Sequence, residues 1–175
     1  MFLNDTTMHM RLSLRFAAAL VALFITSCSG DNAVTPDTIR MREVEAAVTT
    51  FVDSLQKSFP DDSLVSNRIA AYLERHPSYF FGSTIAVMNA DTSVRLSPYW
   101  YRSGTSLAYA DLAVASYQIR TKGWFTEPIA KRAAVWTEPY FDAGGGEIWM
   151  RTYSVPVIIS GKIVAIATTD LAVTP

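Results

Sequence analysis

Cysteine and histidine are scarce in this sequence: Cys28 is the only thiol, and His9 and His76 are the only imidazoles. A zinc site draws three or four ligands largely from those two types, so none is expected, and the composition points to no other metal or cofactor. Charge of one sign is lacking too. Fifteen basic and 16 acidic residues leave a formal net charge of −1, and without a long run of either sign there is no field to hold phosphate backbones, so nucleic acid is not an expected partner. The longest apolar run, Phe16 to Ile25, is about half of the roughly 20 residues that a membrane-spanning helix needs. Catalytic groups are missing as well. His76 has no Ser or Cys nucleophile motif beside it, and Gly144-Gly145-Gly146 lacks the Lys-Ser or Lys-Thr of a phosphate loop, so the glycines read as a hairpin turn and the chain as a non-enzyme.

The first 27 residues carry a secretory pattern. Arg11 and Arg15 precede the apolar run, and the small residues Thr26 and Ser27 precede Cys28, so residues 1–27 read as a signal peptide with Met10 as an alternative start. Ile25-Thr26-Ser27-Cys28 resembles the bacterial lipobox, whose cysteine thiol accepts diacylglycerol. That resemblance implies lipidation at Cys28 and a domain held to a membrane of the cell envelope, facing the periplasm or exterior. The competing reading of Cys28 is a free cysteine in a signal peptide cut elsewhere. Residues 28–35, polar and turn-prone, would be the tether.

What remains, residues 36–175, is one domain by length. Thr35-Pro36-Asp37 opens a long helix with Ile39, Val44, Ala47, Val48, Phe51 and Leu55 on its apolar face, ending near Phe59-Pro60. Asp61 or Asp62 then caps a second helix, with Leu64, Ile69, Tyr72 and Leu73 apolar, which Pro77 stops after His76. The pattern beyond predicts strands over Thr84–Met88 and Arg95–Arg102, the latter at an edge or bulge because of Pro98. Short helices are predicted over Leu107–Val114 and Trp124–Ala134, then strands over Val135–Phe141, Ile148–Ile159 and Ile163–Val173. No output module is expected after the last strand. The order describes an α+β fold with helices packed on an antiparallel sheet.

Three segments carry a resemblance: Trp136-Thr137-Glu138-Pro139-Tyr140-Phe141-Asp142 with Gly144-Gly145-Gly146, Thr152-Tyr153-Ser154-Val155-Pro156, and Ala165-Ile166-Ala167-Thr168-Thr169-Asp170-Leu171. From about Tyr79 to Val173 the chain resembles the Cache family of PAS-like periplasmic sensors, in particular the membrane-distal module of double-Cache receptors. The resemblance implies a long N-terminal helix leading into the sheet and a ligand pocket between the sheet and the short helices and loops over it. The second Cache module has no counterpart here.

Lys122-Gly123-Trp124-Phe125 stands where the family's amino-acid-binding subgroup has Arg, any residue, Trp, then Tyr or Phe. A lysine is a mobile point charge without the carboxylate-matching fork of arginine, which weakens α-carboxylate recognition. Tyr140, Asp142 and Asp170 match the family's pocket tyrosine and acids, and Tyr101 and Tyr117 are further lining candidates. Two carboxylates among aromatic rings suit a cationic group, so the implied ligand is an amino acid, amine or organic acid, with an envelope protein as signalling partner. Each residue also has a purely structural reading. Trp124 and Trp136 fit as core aromatics, Asp142 as the brace of the glycine turn, Asp170 as a strand-end anchor and Lys122 as a solvated charge. An interaction lipoprotein or truncated receptor with a degenerate pocket is the alternative function.

Overall fold

The computed structural model describes residues 35–174. The expected signal peptide, Cys28 and nearly all of the expected tether lie outside the described residues. Helix α1 spans Pro36–Lys57 and starts where Thr35 accepts a hydrogen bond from the Thr38 amide through its side-chain oxygen, with Pro36 in the first turn. Val44, Val48, Val52 and Leu55 are its buried residues, at steps of four, four and three. Ile39 is 47% exposed and does not belong to that face. Helix α2, Asp62–Glu74, begins after Asp61 and buries Val65, Ile69, Tyr72 and Leu73. Leu64, expected inside, is exposed, because the next residue, Val65, takes the inward position.

Eight strands form one antiparallel sheet. They are β1 (Phe80–Met88), β2 (Val94–Leu96), β3 (Pro98–Ser103), β4 (Ser106–Asp111), β5 (Val135–Trp136), β6 (Tyr140–Phe141), β7 (Trp149–Ile159) and β8 (Lys162–Ala172). The order across the sheet is β4-β3-β1-β8-β7-β5, with β2 beside β1 and β6 beside β7. Three expectations need correction. Leu107–Val114 is not a helix: Ser106–Asp111 pairs with β3 along its whole length, from Ser103↔Ser106 to Pro98↔Asp111. The predicted strand Arg95–Arg102 divides at Ser97 into β2 and β3, and Val135–Phe141 divides into β5 and β6 around Thr137-Glu138-Pro139, where proline has no amide to give a ladder. Helix α3, Gly123–Lys131, falls where expected.

The last two strands turn at Ser160 and Gly161, with φ of 51° and 78°, the pair of positive angles that a two-residue hairpin requires. Alternation along the strands makes two cores. Ile85 and Val87 of β1, with Ala165 and Ala167 of β8, meet Val44, Val48, Leu55, Ile69 and Leu73 on the helix face. Ala86, Met88 and Ile166, one residue out of step, meet Tyr99, Tyr117, Trp124 and Phe125 on the other face. Each fully buried aliphatic side chain contributes about 1.5–3 kcal/mol, so both faces are tied to the sheet, one by long helices and the other by α3 and two 3-10 turns. An α+β sheet with a long N-terminal helix and short elements over the opposite face is the predicted architecture.

Candidate ligand site on the face under α3

The strand register brings the acids and their partners together. Asp170 on β8 stands opposite Thr152 on β7 and Gly82 on β1. Thr152 donates its hydroxyl to Asp170 Oδ1 at 2.7 Å and meets the Tyr140 hydroxyl at 2.8 Å. Tyr99 on β3 donates its hydroxyl to Asp170 Oδ2 at 2.8 Å. It lies across β1 to do so, over Gly82, where any Cβ would overlap the Tyr99 ring and hydroxyl. Glycine at 82 is therefore what lets a side chain from β3 reach β8.

Asp142 enters from the turn before β7. Its Oδ2 accepts from the Gly146 amide at 2.9 Å, and its Oδ1 from the Tyr117 hydroxyl at 2.7 Å. Gly145 is again a spacer, since a Cβ there would strike the carboxylate. Trp124, in the first turn of α3, donates its indole N–H to the Tyr117 oxygen at 3.1 Å, and Phe125 packs edge-on against it at 5.9 Å. Lys122 holds its ammonium 4.4 Å from the centre of the Tyr117 ring, a cation–π distance. Tyr101 stacks on Tyr99 with centroids 5.4 Å apart.

All eight residues expected to line the site thus converge: Trp124, Phe125, Tyr117 and Tyr140 around the two carboxylates, and Lys122 and Tyr101 one ring further out. They do not line an open hollow: Trp124, Phe125, Tyr117, Asp142 and Asp170 are each less than 5% exposed and fill the space with one another. The brace at the glycine turn and the tyrosine contact are both roles of Asp142. Sequence reasoning missed Tyr99 and Gly82, whose link to Asp170 exists only through the sheet register, and Thr152, although it begins one of the motif segments.

The electrostatics follow from burial. Removal from water holds the Asp170 carboxyl up at about 7, and the charge of Asp142 adds to the rise while the Thr152 and Tyr99 hydroxyls oppose it. Burial likewise raises the phenols of Tyr99, Tyr117 and Tyr140, with Asp142 contributing at all three and Asp170 at Tyr99 and Tyr140. Neither carboxylate has an ion-pair partner among the described residues. No metal-ligand cluster is present among the described residues either, and no helix among them is long and apolar enough to cross a membrane.

The model of the family described as methyl-accepting chemotaxis protein-like, first PDC sensor domain, matches residues 65–175. The chain belongs to that family. The PDC domain is also similar to solved structures. An extracellular domain assigned to a histidine kinase, soHK1S-Z6, shares 26% identity over 77% of this chain and 54% of its own, with a TM-score of 0.65. The corresponding domain of mmHK1S-Z3 shares 19% identity over 77% of this chain and 52% of its own, at 0.60. The ligand-binding domain of the Campylobacter jejuni chemoreceptor Tlp3, solved with L-valine, shares 14% over 78% of this chain and 53% of its own, at 0.53. The chain spans about half the length of these solved domains. No curated protein matches it. The protein is thus a sensor domain of the PDC type, like those of chemoreceptors and histidine kinases.

Proposed function

We propose that this PDC domain binds a small metabolite carrying an ammonium group, between Asp142 and Asp170, and passes the bound state to a partner in the cell envelope. The supporting observation is the pair of buried carboxylates without a basic partner among the described residues, walled by Trp124, Phe125, Tyr117 and Tyr140. The charge of Asp142 disfavours ionisation of the buried Asp170, and an ammonium placed between them offsets that repulsion while meeting the ring faces. Lys122 sits beside the site and is available for a carboxylate of the same ligand, as a point charge. The packed arrangement is then the unliganded state, and admission of ligand requires α3 to draw Trp124 and Phe125 away from the sheet.

Tethering belongs to the same proposal. Cys28 carries the lipid that holds the domain at the envelope surface, and the folded part senses without catalysing. Thermal-shift measurements with amino acids, polyamines and organic acids test the sensing role, because a ligand that binds only the folded state raises Tm. An amine-bearing compound should stabilise the wild type and lose its effect in Asp170→Asn. A broad panel without any shift would sink the sensing role. Cys28→Ser, expected to move the protein from the membrane to the soluble fraction, tests the anchor separately.

A further inference from the structure

The opposite face of the sheet holds a polar cavity of about 510 Å³, between the start of α1 and the end of β8. Arg151 of β7 points into it, because the neighbouring Thr152 faces Asp170 and alternation sends residue 151 the other way. Its guanidinium is poorly satisfied. Nη1 donates to the Met41 thioether at 3.3 Å, a weak acceptor, and the buried Nε has no acceptor among the described residues. The half-buried guanidinium thus has little acceptor capacity from the protein itself, which leaves it open to one from outside. Arg40 lines the same cavity, 5.4 Å from the centre of the Tyr79 ring, and its only acid partner among the described residues is Asp37, at 3.6 Å on the exposed surface. The Tyr79 hydroxyl is committed to Glu43, which leaves the tyrosine ring as an apolar wall.

We infer that this cavity is a second ligand site, for a small carboxylate with an apolar body, held by the guanidinium of Arg151 with Arg40 as the supporting cation. A guanidinium offers parallel N–H donors that match a planar carboxylate, and Phe81, Tyr79 and Leu171 give the body of the ligand its apolar surroundings. Asp37 at the rim repels a second negative charge, so a monocarboxylate suits the cavity better than a dianion. The site is independent of the acid pair beneath α3 and takes the opposite charge.

The test uses the whole chain with 4-bromobenzoate as the probe, inorganic sulfate as the competing oxyanion, and chloride to match ionic strength. Calorimetric titration should give saturable binding of bromobenzoate, weakened at least about tenfold by Arg151→Gln, since a bidentate charged contact is lost. Arg151→Lys should lose most of the affinity as well, which keeps the test valid if the glutamine variant fails to fold. Asp170→Asn should leave binding unchanged, so the first site can fail without this one. In soaked crystals the bromine should lie in the cavity beside Tyr79. Absence of saturable binding, affinity that survives both arginine variants, equal affinity for sulfate, or bromine on the Asp170 face would each overturn the assignment.

Discussion

Replacing Asp170 by asparagine should remove a pH dependence that the wild type must show. The carboxyl titrates at about 7 in the folded protein against 3.8 as its ordinary value, so between those values the folded state holds a proton that the unfolded chain has already lost. Stability therefore falls as pH rises through this window and levels off above about 7. The whole shift corresponds to about 4 kcal/mol at roughly 1.4 kcal/mol per unit, of which about 2–3 kcal/mol falls between pH 5 and 8. At roughly 3 °C per kcal/mol for a domain of this size, the wild-type Tm should drop by about 8 °C over that range through Asp170 alone. The side chain introduced by Asp170→Asn keeps an acceptor, and the Thr152 hydroxyl can turn to accept from the new amide while donating to Tyr140, so the variant folds and is flatter with pH. The comparison is the difference between the two Tm–pH profiles from pH 5 to 8, in which the other groups cancel. Parallel profiles would refute the claim that Asp170 is held protonated by burial.

Other consequences are open to measurement. An amine ligand should bind more tightly as pH rises from 5.5 to 7.5, with release of a proton from Asp170, detectable as a buffer-dependent binding enthalpy; uptake of a proton would contradict the site. Gly82→Ala forces Tyr99 away from Asp170 and should lower stability by about 1–3 kcal/mol in urea unfolding. Trp124→Ala should cost about 3–5 kcal/mol, as large cavities do, and leave Tyr117 without its indole donor. Leu55→Ala, at a fully buried position of α1, should cost about 2–5 kcal/mol, whereas Ile39→Ala, 47% exposed, should change stability by no more than about 0.5 kcal/mol.

How far the fold could be read in advance depended on whether its cause was local. The start of α1 at Thr35-Pro36 and the stop of α2 before Pro77 are set by neighbours in the chain, and both were legible. Leu107–Val114 was not: its alanines and leucines favour a helix, but pairing with every residue of β3 outweighs that preference. Ile39 and Leu64 are apolar but stand five residues before Val44 and Ile69, off the buried stripe of each helix, and both are exposed. For the site, motif resemblance singled out Asp142, Asp170 and Trp124, and they do converge. What it could not supply was Tyr99, 71 residues from Asp170 in sequence and joined to it only because Gly82 clears the way. Nor does a motif tell whether aromatic walls stand apart or rest on each other.

Strand β8 comes last among the described elements but lies in the middle of the sheet, between β1 and β7. Until it is in place, the N-terminal strands and the β7 side have no shared neighbour, so neither half can complete its hydrogen bonding. A nascent chain therefore stays open at least until β8 is free, and closure is a late, long-range event of the slow-folding kind.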